Sequence, residues 1–131
     1  MSFQAIAVNY RNNIEIHHCT IIDFNYSGIN LNGSTSSYPI NTSTRHDTGN
    51  QIHDCIITNC SHGPTSPNYD YGDIIWRGQD GLLIYNNTHD QRARAAGGNG
   101  DILNCAWSKG VKIYNNTFYK NDNEGSNWNF F

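Results

Sequence analysis

A short segment recurs four times along the chain, and this repeat limits the possible folds more than any other feature. Each copy has an apolar residue, two variable positions, Cys or Asn, one further residue and then usually an apolar residue. The copies lie at residues 13–21, 50–57, 82–89 and 111–118, with anchors at Ile16, Ile52, Ile84 and Ile113. Self-similarity of this kind is typical of solenoids and other repeat architectures.

A second segment alternates with the first, at residues 5–8, 28–31, 73–76 and 101–104, and residues 127–130 resemble a fifth copy. The interval from its anchor to the next anchor of the first segment is nearly constant. It is the same from Ile6 to Ile16 and from Ile74 to Ile84, and it is one position longer from Ile102 to Ile113. The interval from Ile29 to Ile52 is more than twice as long, which predicts an inserted surface loop.

The composition favours strands over helices. The chain has 15 Ile against 4 Leu and 2 Val, and it has 20 Asn and 12 Gly. Ile suits a pleated surface, whereas Asn and Gly disfavour helix interiors. Charged residues are 15% of the chain and the net charge is -3, which argues against a nucleic-acid partner. No apolar run approaches the length of about 18 to 20 residues that spans a bilayer.

We therefore predict an all-β fold, a parallel β-solenoid of about four to five coils that forms a single domain over residues 1–131. Successive coils begin at Ile6, Ile29, Ile74 and Ile102, and the last ends at Trp128. Loop insertions are expected near residues 33–49, 61–72 and 89–99. Each anchor should stack on the anchor of the next coil, about 4.8 Å away.

One column of the predicted solenoid lies at a bend and consists of Cys19, Cys55, Asn87 and Asn116. Inward Asn amides can bond the backbone groups that a bend leaves unpaired, and Cys occupies the same space as a small apolar residue. The alternative is that Cys19 and Cys55 bind a metal together with His17 and His53.

The Asn pairs and the Gly-containing strand starts suggest a known architecture. Asn86-Asn87-Thr88 and Asn115-Asn116-Thr117, with Gly28-Ile29, Gly72-Asp73-Ile74 and Gly100-Asp101-Ile102, resemble the right-handed parallel β-helix proteins of pectate-lyase-like architecture. The resemblance covers nearly the whole chain and implies a right-handed coil. Proteins with this architecture mostly bind or act on polysaccharides outside the cell, so the resemblance implies a polysaccharide partner and an extracellular or cell-surface location.

Asp73 and Asp101 each follow a Gly and precede an anchor, so we expect them to lie in register on the outer surface. Two carboxylates this close could act as acid and base or hold Ca²⁺, which is the one cofactor that these residues suggest. The alternative is that each Asp caps the turn into its strand.

Three arginines lie near this predicted carboxylate pair. Arg77 shares the parity of Asp73, and Arg92 and Arg94 lie in the following loop. Guanidinium groups bind the carboxylates of uronic acids in bidentate fashion. In lyases of this architecture a Lys or Arg commonly abstracts the C5 proton, so the resemblance implies that role for Arg77. The alternative for Arg92 and Arg94 is a solvated loop.

An outward column of rings is predicted on another face. His53, Tyr85 and Tyr114 fall at the same position of the repeat as His17. Such rings could bind sugars by stacking, or they could simply stabilise the sheet.

Two functions follow from these features. The first is a polysaccharide lyase of acidic, uronate-containing glycans, with a glycoside hydrolase as the alternative reaction. Its catalytic residues would be Arg77, Asp73 and Asp101. Its substrate-binding residues would be Arg92, Arg94, His53, Tyr85 and Tyr114. The second is a non-catalytic glycan-binding or surface scaffold. Four coils form a stack of only about 20 Å, which favours the second. Because no cap is visible at either end, we also expect further coils, as in a fragment of a longer solenoid, or another chain.

Overall fold

The computed structural model describes residues 4–33, 46–60, 72–92 and 101–119, and this part of the chain is all β, without a helix. It contains no helix long and apolar enough to cross a membrane. The strands are β1 (Gln4–Asn9), β2 (Glu15–His17), β3 (Thr20–Ile22), β4 (Ser27–Asn32), β5 (Asp47–Thr48), β6 (Gln51–His53), β7 (Ile56–Thr58), β8 (Gly72–Arg77), β9 (Gln79–Asp80), β10 (Leu83–Tyr85), β11 (Thr88–Asp90), β12 (Asp101–Ala106), β13 (Lys112–Tyr114) and β14 (Thr117–Tyr119).

The strands form three four-stranded sheets and one two-stranded sheet. Their orders are β1-β4-β8-β12, β2-β6-β10-β13, β3-β7-β11-β14 and β5-β9, and every pairing is parallel. The chain visits the three large sheets in turn before it returns to the first. This arrangement is compatible with the predicted parallel β-helix.

The anchors of the first repeat stack as the sequence predicts. Ile16, Ile52, Ile84 and Ile113 are paired in register across β2, β6, β10 and β13. A neighbouring sheet stacks Ile21, Ile57, His89 and Phe118 in the same way. Nearly all the buried apolar residues belong to one core cluster, so the sheets pack around a common interior.

The predicted column at the bend is also present. Asn87 Oδ1 accepts the Cys55 N–H at 3.0 Å, and Asn87 Nδ2 donates to the Ile52 carbonyl at 3.1 Å. Asn116 Oδ1 in turn accepts the Asn87 N–H at 2.9 Å. The amides therefore bond backbone groups of the coil before them. All four cysteines are free thiols.

The residue before each member of this column adopts a left-handed conformation. His18, Asp54, Asn86 and Asn115 have φ values between 52° and 56°. Asn and Asp tolerate this conformation better than most residues because their short side chains bond locally. The bend thus explains part of the Asn content.

A chain of polar contacts that the repeat does not predict links Asn50, Gln79 and Ser108. Asn50 Oδ1 accepts the Ile14 N–H at 2.9 Å, and Asn50 Nδ2 donates to Gln79 Oε1 at 2.8 Å. The Gln79 N–H then donates to Ser108 Oγ at 3.0 Å. Gln79 pairs in register with Asp47, so Asn50 and Gln79 meet through their side chains without being equivalent positions of the repeat.

Several predictions fall partly or wholly outside the described residues. The expected loops near residues 33–49, 61–72 and 89–99 are described only in part, and there the chain includes β5 (Asp47–Thr48) and the end of β11. The fifth copy at residues 127–130 and Arg94 also lie outside the described part.

Candidate functional site

The predicted ring column lies on the outer face of the sheet β2-β6-β10-β13, as expected. We use the name aromatic column for His17, His53, Tyr85 and Tyr114, which are paired in register in that order. Neighbouring ring centroids are 5.2, 4.7 and 5.1 Å apart, with interplanar angles of 8°, 9° and 1°. The register of the sheet therefore produces one continuous stack of four rings.

This stack changes how the column can contact a sugar. Because the ring planes are nearly parallel and face one another, each inner ring has its faces covered by its neighbours. His53 is buried and Tyr85 is half-buried, so only the edge of Tyr85 reaches solvent among the inner rings. The edges carry imidazole nitrogens and phenolic hydroxyls, and the Tyr85 hydroxyl donates to Gln51 Oε1 at 3.3 Å. The faces of the inner rings are therefore covered, and sugar binding at the column stays a prediction.

His53 connects two carboxylates within the aromatic column. Its Nε2 lies 2.7 Å from Glu15 Oε1 on the neighbouring strand, and its Nδ1 lies 2.7 Å from Asp54 Oδ2. The hydrogen bond to Asp54, followed by that to Glu15, raises the pKa of His53 above its usual value against the opposing effect of burial. The same bonds lower the pKa values of Glu15 and Asp54. His53 is thus the cation of a three-residue ionic group.

Glu15 is a functional candidate that the sequence reasoning did not single out. Glu15 belongs to an outward column beside the rings, formed by Glu15, Gln51, Leu83 and Lys112. Asp54 sits at the left-handed position of the bend. The alternation of outward positions in β2 could have indicated Glu15, since it lies two residues before His17.

Asp73 does not lie on the outer surface, where the sequence analysis placed it. Its carboxylate is fully buried, with Oδ2 3.0 Å from His89 Nδ1, and it also accepts a hydrogen bond from the buried Gln91 amide. A Cβ built on Gly28, in the neighbouring strand β4, would lie 2.9 Å from Ile57 Cγ2 in the core. The starts of β4 and β8 therefore both face the interior.

The expected register between Asp73 and Asp101 is also wrong. Asp101 pairs with Gly72, and Leu103, not Ile102, pairs with Ile74. A shift of one residue moves side chains to the opposite face, so Asp73 and Asp101 do not occupy equivalent positions of successive coils. The predicted acid–base pair and calcium site at Asp73 and Asp101 therefore lose their geometric basis.

Arg77 and Arg92 lie in different sheets and neighbourhoods. Arg77 ends β8, where it is half-buried and pairs in register with Asn32 on one side and Ala106 on the other. Arg92 follows β11, and its Nε and Nη2 donate to the Asp90 carboxylate at 2.9 and 2.7 Å. The Arg92 guanidinium also lies 4.4 Å from the centroid of the Tyr119 ring. Arg92 therefore already binds a carboxylate of its own chain.

No metal site and no pocket unites the predicted residues in the described part of the chain. Within the described ranges, no group of three or more His, Cys, Asp or Glu side chains is arranged to hold a metal ion. A cavity of about 360 Å³ is lined by Trp76, Cys105, Ser108, Lys109, Gly110, Val111 and Ile113, and none of these is a predicted site residue. The aromatic column is the place where the structure assembles predicted site residues.

Comparison of the chain with family models, with curated proteins and with solved structures gives no match.

Proposed function

We propose that this chain is a glycan-binding domain that holds a polysaccharide along the aromatic column, and that its sheets are the faces of a right-handed parallel β-helix of pectate-lyase-like architecture. The in-register stack His17, His53, Tyr85 and Tyr114 is the observation that carries the proposal. Its polar edges repeat every 4.7 to 5.2 Å. Because His53 is buried with both nitrogens bonded, a linear polymer with regularly repeated hydroxyls would bond to the more accessible rings of His17, Tyr85 and Tyr114.

Two further observations support binding without catalysis. The carboxylate of Asp73 is buried and paired with His89, and Arg92 is engaged by Asp90. Asp73, one of the three residues expected to perform a lyase reaction, is therefore not accessible to a substrate. Since the polysaccharides that proteins of pectate-lyase-like architecture bind occur mostly outside cells, we also propose an extracellular or cell-surface location.

Titration calorimetry against a panel of neutral, acidic and amine-bearing oligosaccharides tests this proposal. The Tyr114→Ala variant should weaken binding of the best ligand by about fivefold, equivalent to about 1 kcal/mol. Tyr119→Ala is the matched control, because Tyr114 and Tyr119 are 44% and 42% exposed and Tyr119 lies on a different sheet. Equal effects of the two variants, or no binding to any member of the panel, would overturn the proposal.

A second candidate function is lyase activity on uronate-containing glycans, and the position of Arg77 favours it. Arg77 follows Ile75 by two residues and pairs in register with Asn32. Arg77 is half-buried at the end of this strand, so a uronate carboxylate could approach the exposed part of its guanidinium. A rise in ultraviolet absorbance from an unsaturated uronate product, lost in Arg77→Ala and kept in Arg11→Ala, would support this function. Absence of product from every acidic glycan would exclude it.

A further inference from the structure

The two hydrogen bonds of His53 define its charge. Both ring nitrogens lie 2.7 Å from carboxylate oxygens, of Glu15 and of Asp54. Ionised carboxylates only accept hydrogen bonds, so each ring nitrogen must carry a proton to make both bonds. His53 is therefore an imidazolium in this arrangement, and the raised pKa of the group agrees with that geometry.

The surroundings of this imidazolium are those that bind cations. Glu15 and His17 face it from β2, His18 from the turn that follows, Asp54 from its own turn and Tyr85 from β10. The Tyr85 ring lies parallel to it at 4.7 Å, which is within the range of cation–π attraction. His53 itself is only 7% exposed, whereas the side chains of Glu15 and Asp54 are 55% and 37% exposed.

These exposures separate the buried cation from its accessible counter-charges. A ligand cannot easily reach His53, but it can reach the carboxylates on either side of it. An anionic uronate would be repelled by Glu15 and Asp54, whereas an ammonium group would be attracted to both.

Resting on the glycan-binding function proposed above, we propose that the aromatic column selects polysaccharides that carry ammonium groups, and that the ligand's ammonium displaces the proton of His53. Glu15 and Asp54 exchange one cationic partner for another, and the released proton passes to solvent. Ligand binding and His53 protonation are then linked, so affinity for the ammonium ligand rises as pH rises. One released proton corresponds to at most about a tenfold change in Kd per pH unit.

The test compares two probes with the same sugar backbone, one with a permanent positive charge on its nitrogen and one with a neutral nitrogen. An oligosaccharide of N-trimethylated glucosamine keeps its charge at every pH, and the N-acetylated oligosaccharide of the same length is the neutral control. Calorimetric titrations from about pH 5 to about pH 9 span the range in which a histidine titrates. We expect the cationic probe to bind more tightly as pH rises, by at least about fivefold over the range, while the Kd of the neutral probe changes by less than about twofold.

Variants show whether the dependence comes from His53. His53→Gln should remove the pH dependence, and Glu15→Gln should weaken binding of the cationic probe more than binding of the neutral probe. His46→Gln is the control, because His46 bonds the Trp107 carbonyl away from the aromatic column.

The possible outcomes separate this inference from the function on which it rests. If the neutral probe binds and the cationic probe binds no better at any pH, the selection of ammonium groups is wrong and glycan binding stands. If His53→Gln retains the full pH dependence, the linkage to His53 is wrong. If neither these probes nor any other glycan binds, the proposed function itself is wrong.

Discussion

Asp73 and His89 form a hydrogen bond of 3.0 Å between Oδ2 and Nδ1 in the interior of the protein, and neither side chain is exposed. His89 occupies the position that Ile57 holds in one neighbouring strand and Phe118 in the other, and its ring lies 4.9 Å from that of Phe118. A polar pair thus interrupts an otherwise apolar column. Such a pair contributes little when complete but is costly to break, because the remaining charge is left buried.

The buried pair predicts that even a substitution that keeps the ring shape of His89 strongly lowers the free energy of unfolding. His89→Phe should lower the free energy of unfolding by about 3–5 kcal/mol, because the Asp73 carboxylate stays in the core without its imidazole partner. Urea denaturation followed by circular dichroism measures this loss. His17→Phe, on the exposed aromatic column, should change the free energy by less than about 0.5 kcal/mol. Similar losses in both variants would contradict an ionic role for the pair.

The ionic group of His53 predicts a pH window for stability. The pKa of His53 is raised in the folded state, so its stabilising contribution is full below the unfolded pKa of His and is lost as pH rises through the folded value. The pKa values of Glu15 and Asp54 are lowered, so their contributions are present above their unfolded values and are lost as pH falls through the folded ones. The group should therefore stabilise the fold most in the interval between the carboxylates and the histidine.

Thermal unfolding across pH tests this window. The melting temperature of the protein should exceed that of His53→Gln by the most at mildly acidic pH, and the difference should shrink as pH rises past the His53 pKa. Titration of the His53 ring by NMR should give a pKa above the usual value, and Glu15→Gln should lower it. An unchanged His53 pKa in Glu15→Gln would show that the bond between the two strands does not form in solution.

The column of amides at the bend predicts that substitutions of Asn87 lower the free energy of unfolding by an amount that depends on the new side chain. Asn87→Ala leaves the Cys55 N–H and the Ile52 carbonyl without their side-chain partner, and each unsatisfied buried group costs about 1–3 kcal/mol. Asn87→Cys should cost less, because Cys19 and Cys55 occupy the equivalent positions of neighbouring coils. Urea denaturation of both variants, with the exposed Asn9→Ala as control, gives the comparison. Equal losses of unfolding free energy in Asn87→Ala and Asn87→Cys would show that a Cys side chain does not replace the hydrogen bonds of Asn in this column.

The register of β12 is one feature that the spacing of the repeat did not predict correctly. Ile102 follows Asp101 as Ile74 follows Asp73, which predicts Ile102 as the anchor, yet the structure pairs Leu103 with Ile74. Leu103 precedes Ile113 by the same interval that separates Ile74 from Ile84. The longer interval counted from Ile102 was the signal of a shifted register. Ile102 and Leu103 are both apolar, so the repeat pattern alone does not show which of them is the anchor.

The sequence by itself determined the parallel stacking of the anchors, the Asn and Cys column and the alignment of the rings of His53, Tyr85 and Tyr114. These features depend on a spacing that repeats along the chain, and equal spacing places residues at equal points of successive coils. Only the tertiary structure decided that Asp73 points inward to His89, that Arg92 binds Asp90, and that Glu15 and Asp54 hold His53. The direction of a side chain at a bend, and the partner that it meets, depend on the local course of the backbone and on residues from other parts of the coil, which no spacing along the chain encodes.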